Sequence, residues 1–492
     1  MSIPFRRKTF TLTQPDGSTL EAIGTGDQHE ARFATLDGRP IVREDSGFYR
    51  AIEPTGSGAA AIGRSIGTAG ATGGGGGLLS MAQAAMKGLP TEGPRWRERR
   101  AEFQGALRAA EEAAGALPAP PARQTVGTFV GLTLLIDFSD EPATISRDEI
   151  EAFCNRPGYS GFGNSGSVRD YFRDVSDGKL DYTNIVMPYY RAKHPRSHYT
   201  DETKRYPRRA AELIEEALQD LKAKGFNPAP LTADRKRFVY ALNVLYAGVC
   251  ENNWSQGLWP HAHTLPSAFS LSSSRKIRDY QITDIGDELS LGTFCHENGH
   301  MICDFPDLYD YGQDSYGAGK FCLMCFGGSD ERSKNPAQVG AYLKHAAGWA
   351  TSVTRLTNGT TVTLRAGRNE FALHRRNDRE YYIIENRASA GRDALLGAAG
   401  LAVWHVDQRG SNSDQAGTAR AHYECALVQA DGLGELEGKA DIGDAHDLFW
   451  AGHKDKVSDL TTPHVKWWDG TPSGLSLSAI SAPGAAMTFR VG

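Results

Sequence analysis

The chain of 492 residues contains no apolar run near the length of about 20 residues that a bilayer-spanning helix requires. Net charge is also scarce. A balance of −5, from 54 basic and 59 acidic residues, is too small to favour nucleic acid or an anionic membrane as a partner. No internal repeat is present, which sets repeat architectures aside. The start, MSIPFRRKTFTL, has basic residues but lacks the apolar core of a secretory signal. Cysteine is sparse: seven residues, an odd number, leave at least one without an intrachain partner. Four of them, Cys295, Cys303, Cys322 and Cys325, are close in sequence. A four-thiolate zinc site is conceivable there, but buried thiols or one or two disulfides are the simpler reading.

What remains is a composition of 40% hydrophobic and 23% charged residues, that of a soluble globular protein. The length suggests two to four domains. Residues 1–54 alternate like short strands, broken at the turn sequences PDG (15–17) and DG (37–38), and read as a small β-rich module. Residues 55–124 combine a glycine-rich linker with a helix. Trp96, Phe103, Leu107, Ala110, Ala114 and Leu117 form its apolar stripe, and Pro118 and Pro120 end it. Residues 125–351 hold a strongly apolar strand candidate at 128–138, a short helix from Ser167 and a further strand from Leu180. A helix over 207–221, a buried strand over 238–249 and a helix over 336–349 follow. Strands and helices in separate runs point to an α+β domain. Residues 352–492 change to short β runs, as in a sandwich or barrel.

The most informative residues are HENGH at 296–300. On a helix, side chains four apart share a face, so His296 and His300 can converge on one ion. Zinc accepts such nitrogens at roughly 2.0–2.1 Å. Glu297 then stands beside the pair as a general base for a metal-polarised water, the chemistry of metallohydrolases. Gly292 and Gly299 weaken the helix locally, and Pro306 forces the chain to turn. A third ligand is needed just past that turn. Asp307 is the favoured carboxylate and Asp310 the second choice, while Asp304 lies too far along the helix axis unless the helix ends early. Either Asp307 or Asp310 could instead cap a turn or bind calcium.

Other polar groups have two readings. Tyr309, Tyr311 and His405 are candidate donors to an oxyanion, with a structural role for each as the simpler view. Met324 reads as apolar support beneath the metal, and His261 and His263 as packed histidines. Asp441, Asp444 and Asp447, with Asp431 nearby, could bind structural Ca²⁺ or only form solvated turns, since the EF-hand spacing is absent. Asp137 and Asp140 carry the same ambiguity.

The sequence FPDLYD (305–310) after HENGH resembles the zincin metallopeptidases of the immune inhibitor A type. CLMCFGG (322–328) is similar to that family's methionine-containing turn, and NPAQV (335–339) to the start of its following helix. DFSD (137–140), VSDGKL (175–180) and WPHAH (259–263) resemble its upstream runs; YIIENR (382–387), VWHVD (403–407) and DG (431–432) resemble its β region. QPDG (14–17) and TLDG (35–38) are similar to its propeptide. The resemblance implies a zincin-like catalytic domain, a zinc-dependent endopeptidase acting on protein or peptide substrates, synthesis as a latent zymogen, and export. A catalytically silent zinc protein that binds proteins or glycans is the alternative. One departure concerns the third ligand: many members place Asp ten residues after the first histidine, whereas Asp307 lies eleven after His296.

Overall fold

The computed structural model describes residues 4–27, 30–44, 46–52, 66–67, 94–102, 125–312, 314–377, 379–411 and 422–492. Most of the glycine-rich stretch, and the proposed stripe from Phe103 to Leu117, lie outside the described residues. The protein is mixed α+β with several sheets. It divides into two compact units, each assembled from separated stretches. The first holds Met1–Arg95, Val130–Glu151 and Asn184–Leu289, and the second Trp96–Phe129, Ala152–Thr183 and Ser290–Gly492.

In the first unit, β1 (Phe5–Thr13), β2 (Thr19–Gly26), β3 (Glu30–Ala34), β4 (Pro40–Arg43) and β5 (Tyr49–Ala51) form an antiparallel meander in chain order. The short β6 (Ile66–Gly67) pairs with β3. The turns fall where the sequence places them, with Gly17 and Gly38 at positive φ. Alternation buries Phe10, Leu12 and Phe33 on one face, against Trp254 and Trp259.

A second sheet is built from β7 (Gly127–Asp137), β8 (Leu180–Arg191), β9 (Leu242–Tyr246), β10 (His261–Ser272) and β11 (Arg275–Asp284), in the order β10-β11-β9-β7-β8. The apolar run expected as a strand is β7, with Leu132, Leu134 and Ile136 in the core. The helix Arg208–Ala223 lays Ala210, Leu213, Ala217 and Leu221 on the same core, and Gly225 stops it at positive φ. The expected strand over 238–249 narrows to Leu242–Tyr246. The β10–β11 hairpin carries no clean alternation, and its register shifts between Thr264 and Phe269.

The second unit contains the HENGH helix and the helix Val168–Val175, whose first turn is closed by a capping box between Ser167 and Asp170. The helix expected over 336–349 is only Ala341–Ala346. The backbone before it bonds elsewhere: Ala337 N–H donates to the Gly327 carbonyl at 2.8 Å and Gln338 N–H to Asp393 at 3.0 Å. Two sheets follow. One has β12 (Ser352–Arg355), β14 (Glu370–Arg375), β15 (Glu380–Arg387), β16 (Gly400–Asp407) and β17 (Cys425–Leu427) in that order. The other has β13 (Thr361–Arg365), β20 (Ala486–Val491), β19 (Ser476–Ser478) and β18 (Val457–Ser458). Leu364, Ile384, Val403, Leu477 and Phe489 of both sheets share one core.

All seven cysteines are free, so the disulfide option falls away. Burial pushes the Cys322 thiol up to about 11 and Cys325 well above the usual thiol range, which suits apolar packing, and among the described residues no group of cysteines converges as metal ligands. Among the described residues no helix is long and apolar enough to cross a membrane.

Candidate metal centre

The helix Leu291–Cys303 buries nearly its whole length, including His296, Glu297 and His300. Its opening N–H groups are satisfied from neighbouring segments: Leu291 N–H donates to the Asn164 side-chain oxygen and Gly292 N–H to the Ser333 carbonyl. The two glycines that weaken the helix have a packing reason. A Cβ on Gly292 would lie 2.0 Å from the Gly328 carbonyl oxygen, and one on Gly299 would lie 2.8 Å from Met324 Sδ. The helix can therefore rest directly on the turn carrying Met324. That turn also supplies the Leu323 carbonyl, which lies 3.0 Å from His296 Nδ1.

The helix ends one residue before the proline region expected to end it. Asp304 adopts φ 57°, a left-handed cap, and the Phe305 N–H returns to the Gly299 carbonyl. The reversed chain brings the Phe305 carbonyl to 2.5 Å from His300 Nδ1 and carries Asp307 back over the helix. Asp307 Oδ1 lies 3.0 Å from both His296 Nε2 and His300 Nε2, which are 3.2 Å apart. Tyr311 donates its hydroxyl to the other Asp307 oxygen.

This arrangement fits a tetrahedral ion. Two ligands at about 2.0–2.1 Å from zinc, at the tetrahedral angle, stand about 3.3 Å apart. The spacings here are within a few tenths of an ångström of that value, and both Nδ1 atoms face backbone carbonyls. Donating a proton there leaves each Nε2 lone pair free for a metal. Electrostatics agree: burial opposes charge on Asp307, but His300 and His296 hold its carboxyl well below the usual range. Burial also opposes charge on His296, and Asp307 and Glu297 raise it nonetheless.

Glu297 is buried, with Oε1 at 4.0 Å from His296 Nε2 and without a hydrogen-bond partner. A buried carboxylate oxygen left unmatched marks a place where a further polar group belongs. The neighbouring Asn298 points away, accepting from Tyr182 and donating to the Phe294 carbonyl.

The competing carboxylates have other tasks. Asp304 caps the helix and takes a hydrogen bond from Arg99 at 2.7 Å. Asp310 accepts from Gly312 N–H at 2.8 Å and shapes the following turn. Tyr309 stacks on His296 with ring centroids 6.4 Å apart. His405 is packed between Tyr382 and Trp468, with Nε2 3.3 Å from Glu380. His261 is likewise a packed residue, between the Trp259 carbonyl and the Tyr280 hydroxyl. Asp137 is paired with Arg191, and Asp140 accepts from Arg196 N–H.

The sequence did not announce what covers the centre. Residues 95–102 form a helix in which Trp96 stacks on His300, with centroids 4.6 Å apart and ring planes 17° from parallel. On the same helix, Arg99 reaches Asp304, and Arg100 pairs with Glu424. Arg97 faces Tyr311 and Asp307, whose charges raise its guanidinium against the effect of burial. Trp96 was legible only as an apolar residue in a helical stripe.

A second histidine pair, His194 and His198, has the same four-residue spacing and approaches Glu212. Pro195 stands where the acid would be, and the Arg209 guanidinium lies 2.8 Å from His198 Nε2, so this group is a weaker candidate.

In comparisons with known proteins, the chain matches no family model and no curated protein.

Proposed function

We propose that the protein is a latent zinc-dependent endopeptidase with a zincin-like catalytic region. The observation carrying this reading is the convergence of His296 Nε2, His300 Nε2 and Asp307 Oδ1 beside the unmatched Glu297 carboxylate. His296, His300 and Asp307 would hold the ion. A bound zinc would supply a Lewis acid that polarises a peptide carbonyl and makes water a better nucleophile at neutral pH. Glu297 would accept a proton at the free Oε1 as water attacks, then return it to the leaving amine. The Leu323 and Phe305 carbonyls fix the two imidazoles, and Tyr311 steadies Asp307.

Latency rests on the 95–102 helix. With Trp96 on His300 and Arg97 facing Asp307, a peptide bond has no clear approach on that side. Export and removal of the amino-terminal residues belong to the same proposal. The stack on His300 also favours a second reading, a catalytically silent zinc protein. One experiment separates them: incubate the purified chain with a mixed peptide library, before and after limited proteolysis, with chelator and with zinc restored. The peptidase reading expects chelator-sensitive cleavage that rises after proteolysis. Zinc binding with no cleavage in either form would overturn it.

A further inference from the structure

The helix over the histidine centre carries an arginine to a buried acid. Arg100 follows Trp96 by four residues, so their side chains share one face, a turn or about 6 Å apart. Trp96 covers His300, and Arg100 pairs with Glu424. The Glu424 carboxylate is thus met about one helical turn on from the His300 imidazole. Side-chain exposure is 18% for Arg100 and 5% for Glu424. The same Glu424 oxygen, Oε1, also accepts from the hydroxyl of the buried Tyr342. Burial opposes charge on Arg100, and Glu424, ahead of Tyr342, raises it nonetheless.

Elements other than the covering helix hold this acid in place. Glu424 directly precedes β17, and its carbonyl accepts from the Asp407 N–H of β16 at 3.0 Å. Tyr342 belongs to the helix Ala341–Ala346. At the start of that helix, Gly340 N–H lies 3.4 Å from the Cys322 sulfur, in the turn whose Leu323 carbonyl orients His296. Moving the covering segment away removes the guanidinium and leaves the carboxylate with its Tyr342 donor. A buried carboxylate deprived of a paired guanidinium is costly, so the vacated position favours a new cation.

Resting on the peptidase reading, we propose that Glu424 and the Tyr342 hydroxyl form a substrate subsite for an arginine side chain, filled by Arg100 in the latent chain. The substrate class is then a basic peptide with arginine close to the cleaved bond. Reach sets how close: an extended peptide at about 3.3 Å per residue spans the 6 Å turn with about two residues. Arginine is preferred to lysine here. Its planar fork meets the Glu424 and Tyr342 oxygens together, as Arg100 does, whereas an ammonium is a single point charge.

The test uses paired fluorescent peptides that carry either arginine or citrulline, its neutral isostere, at successive positions. The protein is the full chain with Trp96→Ala and Arg100→Ala, in which the cover is loosened and Glu424 vacated. Binding is read by anisotropy in a Glu297→Gln background, and cleavage with Glu297 intact, both zinc-loaded. At one position the arginine peptide should bind at least tenfold more tightly than its citrulline twin. With Trp96 and Arg100 restored, that preference should vanish. Adding Glu424→Gln should bring the ratio close to one. Glu424→Asp keeps the charge and should fall in between, and it is read alone if the Gln chain folds poorly. Equal affinities for the two peptides would overturn the subsite, as would a preference unchanged by either Glu424 substitution. Arginine-selective binding without cleavage would sink the peptidase reading and leave the arginine subsite standing. Cleavage without arginine selectivity would do the reverse.

Discussion

Replacing Trp96 with Ala tests the latency argument most directly. Trp96 is 9% exposed and lies face to face with His300 at 4.6 Å. Burial of a large apolar side chain is worth about 1.5–3 kcal/mol and the ring stack a further 0.5–1.5 kcal/mol or so. Truncation should then cost the docked position of the 95–102 helix about 2–4 kcal/mol. At 1.4 kcal/mol per factor of ten, the docked-to-released ratio falls roughly 30- to 1000-fold. Arg99 and Arg100 still hold the helix to Asp304 and Glu424, so release remains partial and the gain sits below the ceiling set by full proteolytic removal. The assay is initial-rate cleavage of a quenched fluorescent peptide by zinc-loaded full chain, with Trp96→Ala/Glu297→Gln as the control for contaminating activity. The expected result is a rate at least tenfold above wild type. A Trp96→Ala protein with native circular dichroism, full zinc content and an unchanged rate would refute the reasoning.

Glu297→Gln should retain one zinc per chain and lose about 10²–10⁴ in kcat, measured on the proteolytically released form, because the acceptor for the proton is gone while the ligands stay. Unchanged turnover there would remove Glu297 from the mechanism. Asp307→Ala should weaken zinc at least tenfold in competition with a chromogenic chelator, whereas Asp310→Ala should leave it unchanged; the reverse order would reassign the third ligand. Acid stability provides a separate check in the other unit. Burial lowers His261 from its ordinary value to about 3. A histidine depressed in the folded state contributes stability that is fully present above pH 6.5 and is lost as the pH falls from there towards 3. The slope is up to about 1.4 kcal/mol per pH unit. His261→Gln should flatten that part of the denaturation profile between pH 6 and 4, and an unaltered slope would place the titration elsewhere.

Local signals in the sequence were translated well. The apolar run that became β7 and the stripe of the Arg208–Ala223 helix each bury against one core, so period and burial agree. The same holds for the alternation in the amino-terminal strands, whose inward residues form their own cluster. Errors appear where distant partners decide the local structure. Residues 336–340 have helix-compatible spacing, but the Ala337 and Gln338 N–H groups are taken by Gly327 and Asp393, and the helix starts only at Ala341. The β10–β11 hairpin is held by pairing across a register shift, which no alternation in either strand alone could advertise. Trp96 is the extreme case. Its partner His300 is more than two hundred residues away, and nothing in the local stripe distinguishes a ring bound for a core from one bound for an imidazole face.

The proposed third ligand shows why residue counting was a poor guide at the site itself. The sequence has one residue more between His296 and Asp307 than the pattern it resembles, and on an extended tether that difference would displace a carboxylate by about 3.3 Å. Here the turn itself sets where the carboxylate falls. Asp304 enters the left-handed region, Phe305 N–H returns to the Gly299 carbonyl, and the Phe305 carbonyl faces His300 Nδ1. These bonds fix the start of the return stroke relative to the helix, and from there Asp307 is only two residues away. What a metal site requires is the position of three atoms, and a chain that reverses through a left-handed cap can supply that position at more than one loop length. Aspartate is one of the non-glycine residues that enter that conformation most readily, and Arg99 holds its carboxylate at 2.7 Å. The helix that covers the centre therefore also supports the turn that completes it, so releasing the 95–102 segment should loosen Asp304 as it exposes His300.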